Sequence, residues 1–410
     1  MTKTLCTLFA LTLLAGCGSP EAPATPAPTG DKPATPALQK EAVTVTLWHS
    51  YRAEEEKALG QVVEAFNQER TDIRIETLKV PHQAFPDKIT AAIPRNNGPD
   101  LFIFAHDRVG DWAESGHIEP VSTWARPDLL AEFYPETVKA LVYKKSLYGL
   151  PLAFKSVVLF YNKKLVTEPP TTDTEFVAVA KAHTNAADKR YGLAYENTLT
   201  YFNAPFIHGF GGEVLDERGE LGLRNPGTKA GIAFSHDLLH THKVVPEDVN
   251  SNLITSLFNT GRTALVINGP WFRGEIAPEV EWGVVTMPTV NATGKKMAPF
   301  LGSEAVLMSA KSEHKEETFQ VMRYLATGDA AKVRMEVGGQ PVAHKATWDV
   351  AKKDPVLQVF RAQLADSVVM PNTPKMRLVW SPTDSAIYKI VKNGDDADEA
   401  LTAAAASIGK

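Results

Sequence analysis

Residues 99–116 read Pro-Asp-Leu-Phe-Ile-Phe-Ala-His-Asp-Arg-Val-Gly-Asp-Trp-Ala-Glu-Ser-Gly. Leu101–Phe104 is a short continuous apolar run, the pattern of a strand buried on both faces. It stops at Ala105-His106-Asp107-Arg108, where three polar side chains follow one another. The spacing then predicts a helix, with Asp107 as its N-cap and Trp112 and Ala113 turned inward. A buried parallel strand that delivers polar groups at its carboxyl end is where open α/β sheets hold ligands. The same residues also suit a capped strand-to-helix turn that binds nothing.

Upstream, Val43–Trp48 reads as a first strand. Leu59, Val62, Val63 and Phe66 follow at i, i+3, i+4, i+7, one face of a helix. Glu54, Glu55 and Glu56 sit in its first turn, where negative charge suits the helix dipole. Ile73–Leu78 is a second strand, and a short helix over Phe85–Ile93 is closed by Pro94 and the Asn96-Asn97-Gly98-Pro99 turn. This β-α-β-α-β-α order predicts a largely parallel, helix-covered sheet. Further strands are expected at Tyr148–Leu152, Val157–Tyr161, Gly192–Tyr195, Thr263–Ile267, Trp282–Pro288 and Val306–Ala310. From Asp354 onward the pattern is mostly helical, with breaks at Met370-Pro371-Asn372-Thr373-Pro374 and at Trp380-Ser381-Pro382. Strands interleaved with helices over such a length imply two α/β lobes.

The chain has 410 residues, 44% hydrophobic and 22% charged, enough for a full core and two domains. Its net charge of −5, with both signs interspersed, argues against nucleic acid as a partner. Cys6 and Cys17 are the only cysteines, so the rest of the chain has no disulfide, thiol nucleophile or thiolate metal site. Lys3, the apolar run Leu5–Leu14 and Leu14-Ala15-Gly16-Cys17 form a leader too short to span a bilayer. Its ending resembles a bacterial lipobox, which implies a signal peptide over residues 1–16 and lipid modification of Cys17. Residues 17–41 carry Pro20, Pro23, Pro26, Pro28, Pro33 and Pro36 among small residues, the composition of a semi-extended tether.

Enzyme signatures are weak: there is no Gly-x-Ser-x-Gly elbow, Walker loop, His-Glu-x-x-His or dinucleotide glycine fingerprint. His49, His82, His106 and His117 lack the close paired spacing of a metal-ligand set, so neither metal nor cofactor is expected. Asp107 and Glu114 would be a glycosidase-like carboxylate pair, yet their spacing sets them about two helical turns apart. What does recur is an aromatic residue at a strand end or turn: Trp48, Phe104, Trp271 and Trp380, with Tyr201 opening a helix. Each suits a core; together they suit a cleft where flat rings stack on sugars.

Pro99-Asp100, Phe104-Ala105-His106-Asp107-Arg108 and Ser115-Gly116 resemble the corresponding segment of bacterial maltose-binding proteins. Tyr161-Asn162-Lys163, Ile267-Asn268-Gly269-Pro270-Trp271 and Met370-Pro371-Asn372-Thr373-Pro374 match the same family in the same order, from Val43 to the C-terminus. The resemblance implies a two-lobed α/β periplasmic-binding-protein fold with a hinge and an interlobe ligand cleft. It implies an extracytoplasmic receptor of an ABC importer that binds a saccharide, maltose or a maltodextrin or another di- or oligosaccharide, by lobe closure. The lobes would comprise 42–153 with 303–353 and 154–302 with 354–410, crossing near Ala153-Phe154, Leu301-Gly302 and Asp354. Permease subunits would be partners, the membrane would be reached through the lipid alone, and the protein would act as a monomer without enzymatic activity.

Carried over residue by residue, Phe104, Ala105, Asp107 and Arg108 would line the N-terminal lobe, with Asp107 and Arg108 bonding hydroxyls. Phe104 stands where the family has a stacking tryptophan, and Trp48 joins this wall as a strand-end aromatic. Tyr201, Trp271 and Trp380 fall at ring-stacking positions of the other lobe. At the first helix, Glu54 or Glu55 would replace an acidic-basic pair. Lys155 and Leu199 stand where the family has sugar-binding glutamates, Ser381 where it has a tyrosine and Asp384 where it has an arginine. Lys155 and Asp384 are expected to pair across the site. The alternatives are the same fold holding another small polar solute, or an exported carbohydrate-active enzyme.

Overall fold

The computed structural model describes residues 42–216 and 218–409. Cys6, Cys17 and the tether lie outside the described residues. Strand β1 (Val43–His49) leads into helix α1 (Ala53–Glu69), which turns Ala58, Leu59, Val62, Val63 and Phe66 inward. The helix starts under strain, because Ala53 has a φ of +47°. A left-handed conformation costs a residue with a Cβ about 1–2 kcal/mol. Strand β2 (Ile73–Lys79), helix α2 (Phe85–Ala92), strand β3 (Leu101–Ala105) and helix α3 (Val109–Glu114) follow. β1 pairs in parallel with both β2 and β3, so the β-α-β-α-β-α reading holds this far.

Beyond β3 the sheet is mixed. The later strands of the two larger sheets are β4 (Gly149–Lys155), β5 (Val158–Asn162), β6 (Tyr191–Ala194), β7 (Thr263–Asn268), β8 (Trp282–Val285), β9 (Phe300–Met308) and β10 (Val368–Val369). The first sheet runs β10-β9-β3-β1-β2, with β4 also on β9; the second runs β8-β5-β7-β6. β9 lies antiparallel to β3 and β4 and parallel to β10. It begins six residues before the expected Val306, because Phe300 and Leu301 pair with β10 while Gly302–Glu304 pair with β4. Gly302, Ser303 and Glu304 carry no strand signal of their own; pairing with distant neighbours makes them a strand. β4 likewise extends to Lys155, leaving only Ser156 and Val157 before β5.

Three apolar clusters hold these layers. Leu47, Phe66, Phe102, Trp112, Leu150 and Met322 pack on the first sheet. Tyr195, Phe206, Ile267, Met376 and Leu401 pack on the second. Phe154, Phe160, Phe258, Phe272, Trp348 and Phe360 form the third, which spans the β4–β5 connection. Each fully buried phenylalanine is worth roughly 1.5–3 kcal/mol of transfer free energy.

Three further helices position the site: α4 (Thr200–Gly209), α5 (Gly328–Glu336) and α6 (Pro374–Tyr388). The expected break at Trp380-Ser381-Pro382 does not occur; α6 runs through Pro382. An interior proline costs about 3 kcal/mol. The buried face of Met376, Val379, Thr383, Ala386 and Ile387 continues on both sides of it, and that packing outweighs the lost backbone bond. The Met370–Thr373 loop docks on α3, where the Gly110 N–H donates to the Asn372 carbonyl at 2.9 Å. A Cβ at Gly110 would come within 2.2 Å of that oxygen, so only glycine permits the contact. No described helix is long and apolar enough to cross a membrane.

Candidate functional site

At the carboxyl end of β3 the chain makes a 3-10 turn, His106–Arg108, before α3. Asp107 sits inside that turn and caps nothing, contrary to the expectation. Its buried carboxylate accepts a hydrogen bond from Trp380 Nε1 at 3.0 Å and lies 3.6 Å from Arg108 Nε. Arg108 Nε is itself buried without a hydrogen-bond partner. Burial, and then the charge of Asp107, push the Tyr201 hydroxyl pKa above its ordinary value.

A second polar group lies at the end of β4. The Lys155 ammonium pairs with Glu55 of α1 and, at 3.4 Å, with Glu304 of β9. Tyr51 donates to Glu304 at 2.5 Å, and Gln340 Nε2 donates to Glu55 at 3.1 Å. Burial opposes the charge on Lys155, yet Glu304 and Glu55 together hold its pKa above the usual lysine value. Burial raises Glu304, with Lys155 acting against it. Buried Arg334 of α5 is drawn down by desolvation and up by Tyr51 and Glu304.

Aromatic rings join these polar groups. Lys155 Nζ stands 5.5 Å from the Tyr51 ring centre and 5.8 Å from that of Trp271. Trp271 follows β7 in the turn Pro270–Glu275, and its ring is 6.4 Å from that of Tyr201 at the start of α4. Trp380 on α6 leans edge-on against Phe300 at 6.0 Å. Tyr201, Trp271 and Trp380 are each half-buried.

Across these elements, a model of the bacterial extracellular solute-binding protein family matches residues 50–332. The chain belongs to that family. A maltotriose-binding protein of Pyrococcus abyssi is 30% identical over 361 residues, covering 86% of this chain and 79% of that protein. A maltooligosaccharide ABC transporter solute-binding lipoprotein of Streptococcus pneumoniae is 27% identical over 95% of this chain and 91% of its own length. Among solved structures, the Thermus thermophilus maltotriose binding protein bound with maltotriose superposes with a TM-score of 0.82 and 29% identity. That match covers 89% of this chain and 98% of the other. The α/β fold is thus the two-lobed fold of this family.

Against this solute-binding fold, the expected residues separate into two groups. Asp107, Arg108 and Trp380 come together, as do Glu55, Lys155, Trp271 and Tyr201. The others are placed differently. Phe104 is 6% exposed, its ring parallel to those of Phe85 and His82, so it offers no open platform. Trp48 is buried in the first cluster, with Lys88 Nζ 4.6 Å above its ring. Ala105 contributes backbone, opposite Glu304 in the ladder. Glu54 is exposed and pairs with Lys57 at 3.1 Å, whereas Glu55 is buried and pairs with Lys155.

Lys155 and Asp384 do not pair. Lys155 is held by Glu55 and Glu304, while Asp384 accepts from the Thr200 N–H at 2.6 Å and the Thr200 hydroxyl at 2.5 Å. Leu199, the backbone N-cap of α4, has no capping oxygen, so the Asp384 carboxylate supplies it from another helix. Glu114 lies on the surface with Lys144 and Tyr143, away from the hydrogen-bonded surroundings of Asp107. Its pKa is lowered, chiefly by Lys144, the reverse of what a general acid needs. Among the described residues no three His, Cys, Asp or Glu side chains form a metal-holding group.

Sequence reasoning missed Tyr51, Glu304 and Gln340. Glu304 had a signal: it is the one charged residue in the otherwise apolar or small Phe300–Met308 run. Tyr51 and Gln340 stand in loops with no local pattern to mark them.

Proposed function

We propose that this protein is the receptor of an ABC importer that captures a saccharide between its lobes and presents it to the permease. The observation that supports it most is the meeting of half-buried Tyr201, Trp271 and Trp380 with the Asp107–Arg108 and Glu55–Lys155 pairs. Flat rings take the apolar faces of pyranoses, while ionised and amide groups bond their hydroxyls. A maltooligosaccharide is the favoured class, in line with the relatives named above. Residues 42–153 with 303–353 form one lobe, and 154–302 with 354–410 the other. Trp380 of the second lobe donates to Asp107 of the first, and closure of the lobes around ligand is hinge motion. The chain acts as a monomer without catalysis, outside the cytoplasm, tethered through lipid on Cys17.

Titration of the full chain with maltose through maltoheptaose, galactooligosaccharides and amino acids, followed by tryptophan fluorescence and calorimetry, tests the reading. Saturable binding of a glucose-series oligosaccharide is expected, and silence across the sugars would overturn it. Cys17→Ser is expected to release the protein from membranes. Unchanged membrane association would remove the anchor assignment.

A further inference from the structure

The first wall of the cleft ends in a ring that is not Phe104. Phe85, Phe104 and His82 lie nearly parallel, with centroids 5.2 Å and 5.3 Å from Phe104 and interplanar angles of 12° and 20°. Phe85 is fully buried and Phe104 nearly so; His82, in the turn that precedes α2, is exposed. The stack therefore presents an imidazole to solvent. Ser50 Oγ lies 3.3 Å from His82 Nδ1, which leaves Nε2 for another partner.

His82 also sits among the charges of the site. Its protonation is disfavoured chiefly by desolvation against the residues packed around it, then favoured by Asp107 and Glu55 and opposed by Lys155 and Arg52. Those four groups come from the turn after β3, the start of α1 and the end of β4. Through Phe104, on which it stacks, the ring sits at the end of β3, next to the turn that carries Asp107 and Arg108.

We propose that His82 is a ligand-contacting residue: its imidazole supplies the flat surface of the first wall, and Nε2 bonds a hydroxyl. The inference rests on the saccharide reading and deepens it. A pyranose packed against this ring would lie at the end of β3, near the turn that carries Asp107 and Arg108. Stacked Phe104 and Phe85 hold the imidazole in place, so its flat face needs no ordering when ligand arrives.

The test compares wild type, His82→Ala, His82→Phe and Trp271→Ala as full chains titrated calorimetrically with maltotriose. His82→Ala is expected to weaken binding about five- to tenfold, the range of one aromatic contact. His82→Phe keeps the ring and is expected to stay within about threefold of wild type, losing only the Nε2 bond. An unchanged Kd in His82→Ala, while wild type binds and Trp271→Ala does not, overturns the role of His82 and leaves the saccharide reading standing. A His82→Phe variant as weak as His82→Ala overturns stacking. Failure of wild type to bind maltotriose or any longer glucose oligosaccharide overturns both readings.

Discussion

The buried imidazole of His106 is bonded to the carbonyl of Met370, with Nε2 2.7 Å from the oxygen. Its other nitrogen, Nδ1, accepts the Ser303 N–H at 2.9 Å. An N–H donor at Nδ1 requires a lone pair there, so the proton resides on Nε2 and points at the carbonyl. One neutral ring thereby ties the turn after β3 to β9 and to the loop that precedes α6. The stretch 99–116 and the Met370–Pro374 motif, far apart in sequence, are thus neighbours.

His106→Ala should lose about 2–4 kcal/mol, since it opens a cavity and leaves the Met370 carbonyl and Ser303 N–H unpaired. Urea denaturation of the two proteins measures the difference. A loss below about 0.5 kcal/mol would mean that the ring is not a structural tie.

Stability should fall as pH drops below 6.5. Burial depresses the pKa of His106, and likewise of His49 and His208, in the folded chain. Below 6.5 the unfolded chain binds protons at these rings that the folded chain refuses, so unfolding is favoured as pH falls. Above 6.5 both states are neutral at these positions and the contribution is fully present. Thermal melts between pH 7.5 and 5 should show a declining Tm whose slope is smaller in His106→Ala, where one of these sites is gone.

Lys155→Met should destabilise the fold by about 3 kcal/mol, because it leaves Glu55 and Glu304 as uncompensated carboxylates. Lys155→Met combined with Glu304→Gln should recover part of that loss. An additive or worse double variant would show that Glu304 does not depend on Lys155.

Asp384→Ala should cost about 1 kcal/mol through loss of the cap on α4. A double-mutant cycle with Thr200→Val should show coupling, and one with Lys155→Met should show less than about 0.5 kcal/mol. Strong coupling to Lys155 would contradict the separation of the two residues.

Trp380→Phe keeps a ring against Phe300 but removes the donor to Asp107. Maltotriose affinity is expected to fall about tenfold, mostly through faster dissociation. Stopped-flow fluorescence separates the two rates, and an unchanged off-rate would place the Trp380–Asp107 contact outside the ligand-bound state.

Much was legible before the fold was known. The apolar run Leu101–Phe104 and its polar ending placed a buried strand, and the helical face of Leu59, Val62, Val63 and Phe66 placed α1, because these signals are local periodicities. Asp107, Arg108, Tyr201, Trp271 and Trp380 were legible as a group only through ordered motifs along the chain. The pairing of Lys155 was not legible. The sequence pointed to Asp384 as its partner and passed over Glu304, because opposite charge alone does not select among distant carboxylates. The burial of Phe104 was not legible for a similar reason: which ring of a stack faces solvent depends on what covers the other faces.

The sequence by itself determined the two-lobed α/β class and the strand-to-turn junction at residues 99–116. Those features are written in hydrophobic period, composition and motif order, which need no distant contact. Only the tertiary structure decided that β9 starts at Phe300, that α6 runs through Pro382, that Asp384 caps α4, and that Lys155 belongs to Glu55 and Glu304. Each of these is an energetic choice between competing partners. The choice is made by pairing, burial and desolvation at positions that meet only when the chain is folded.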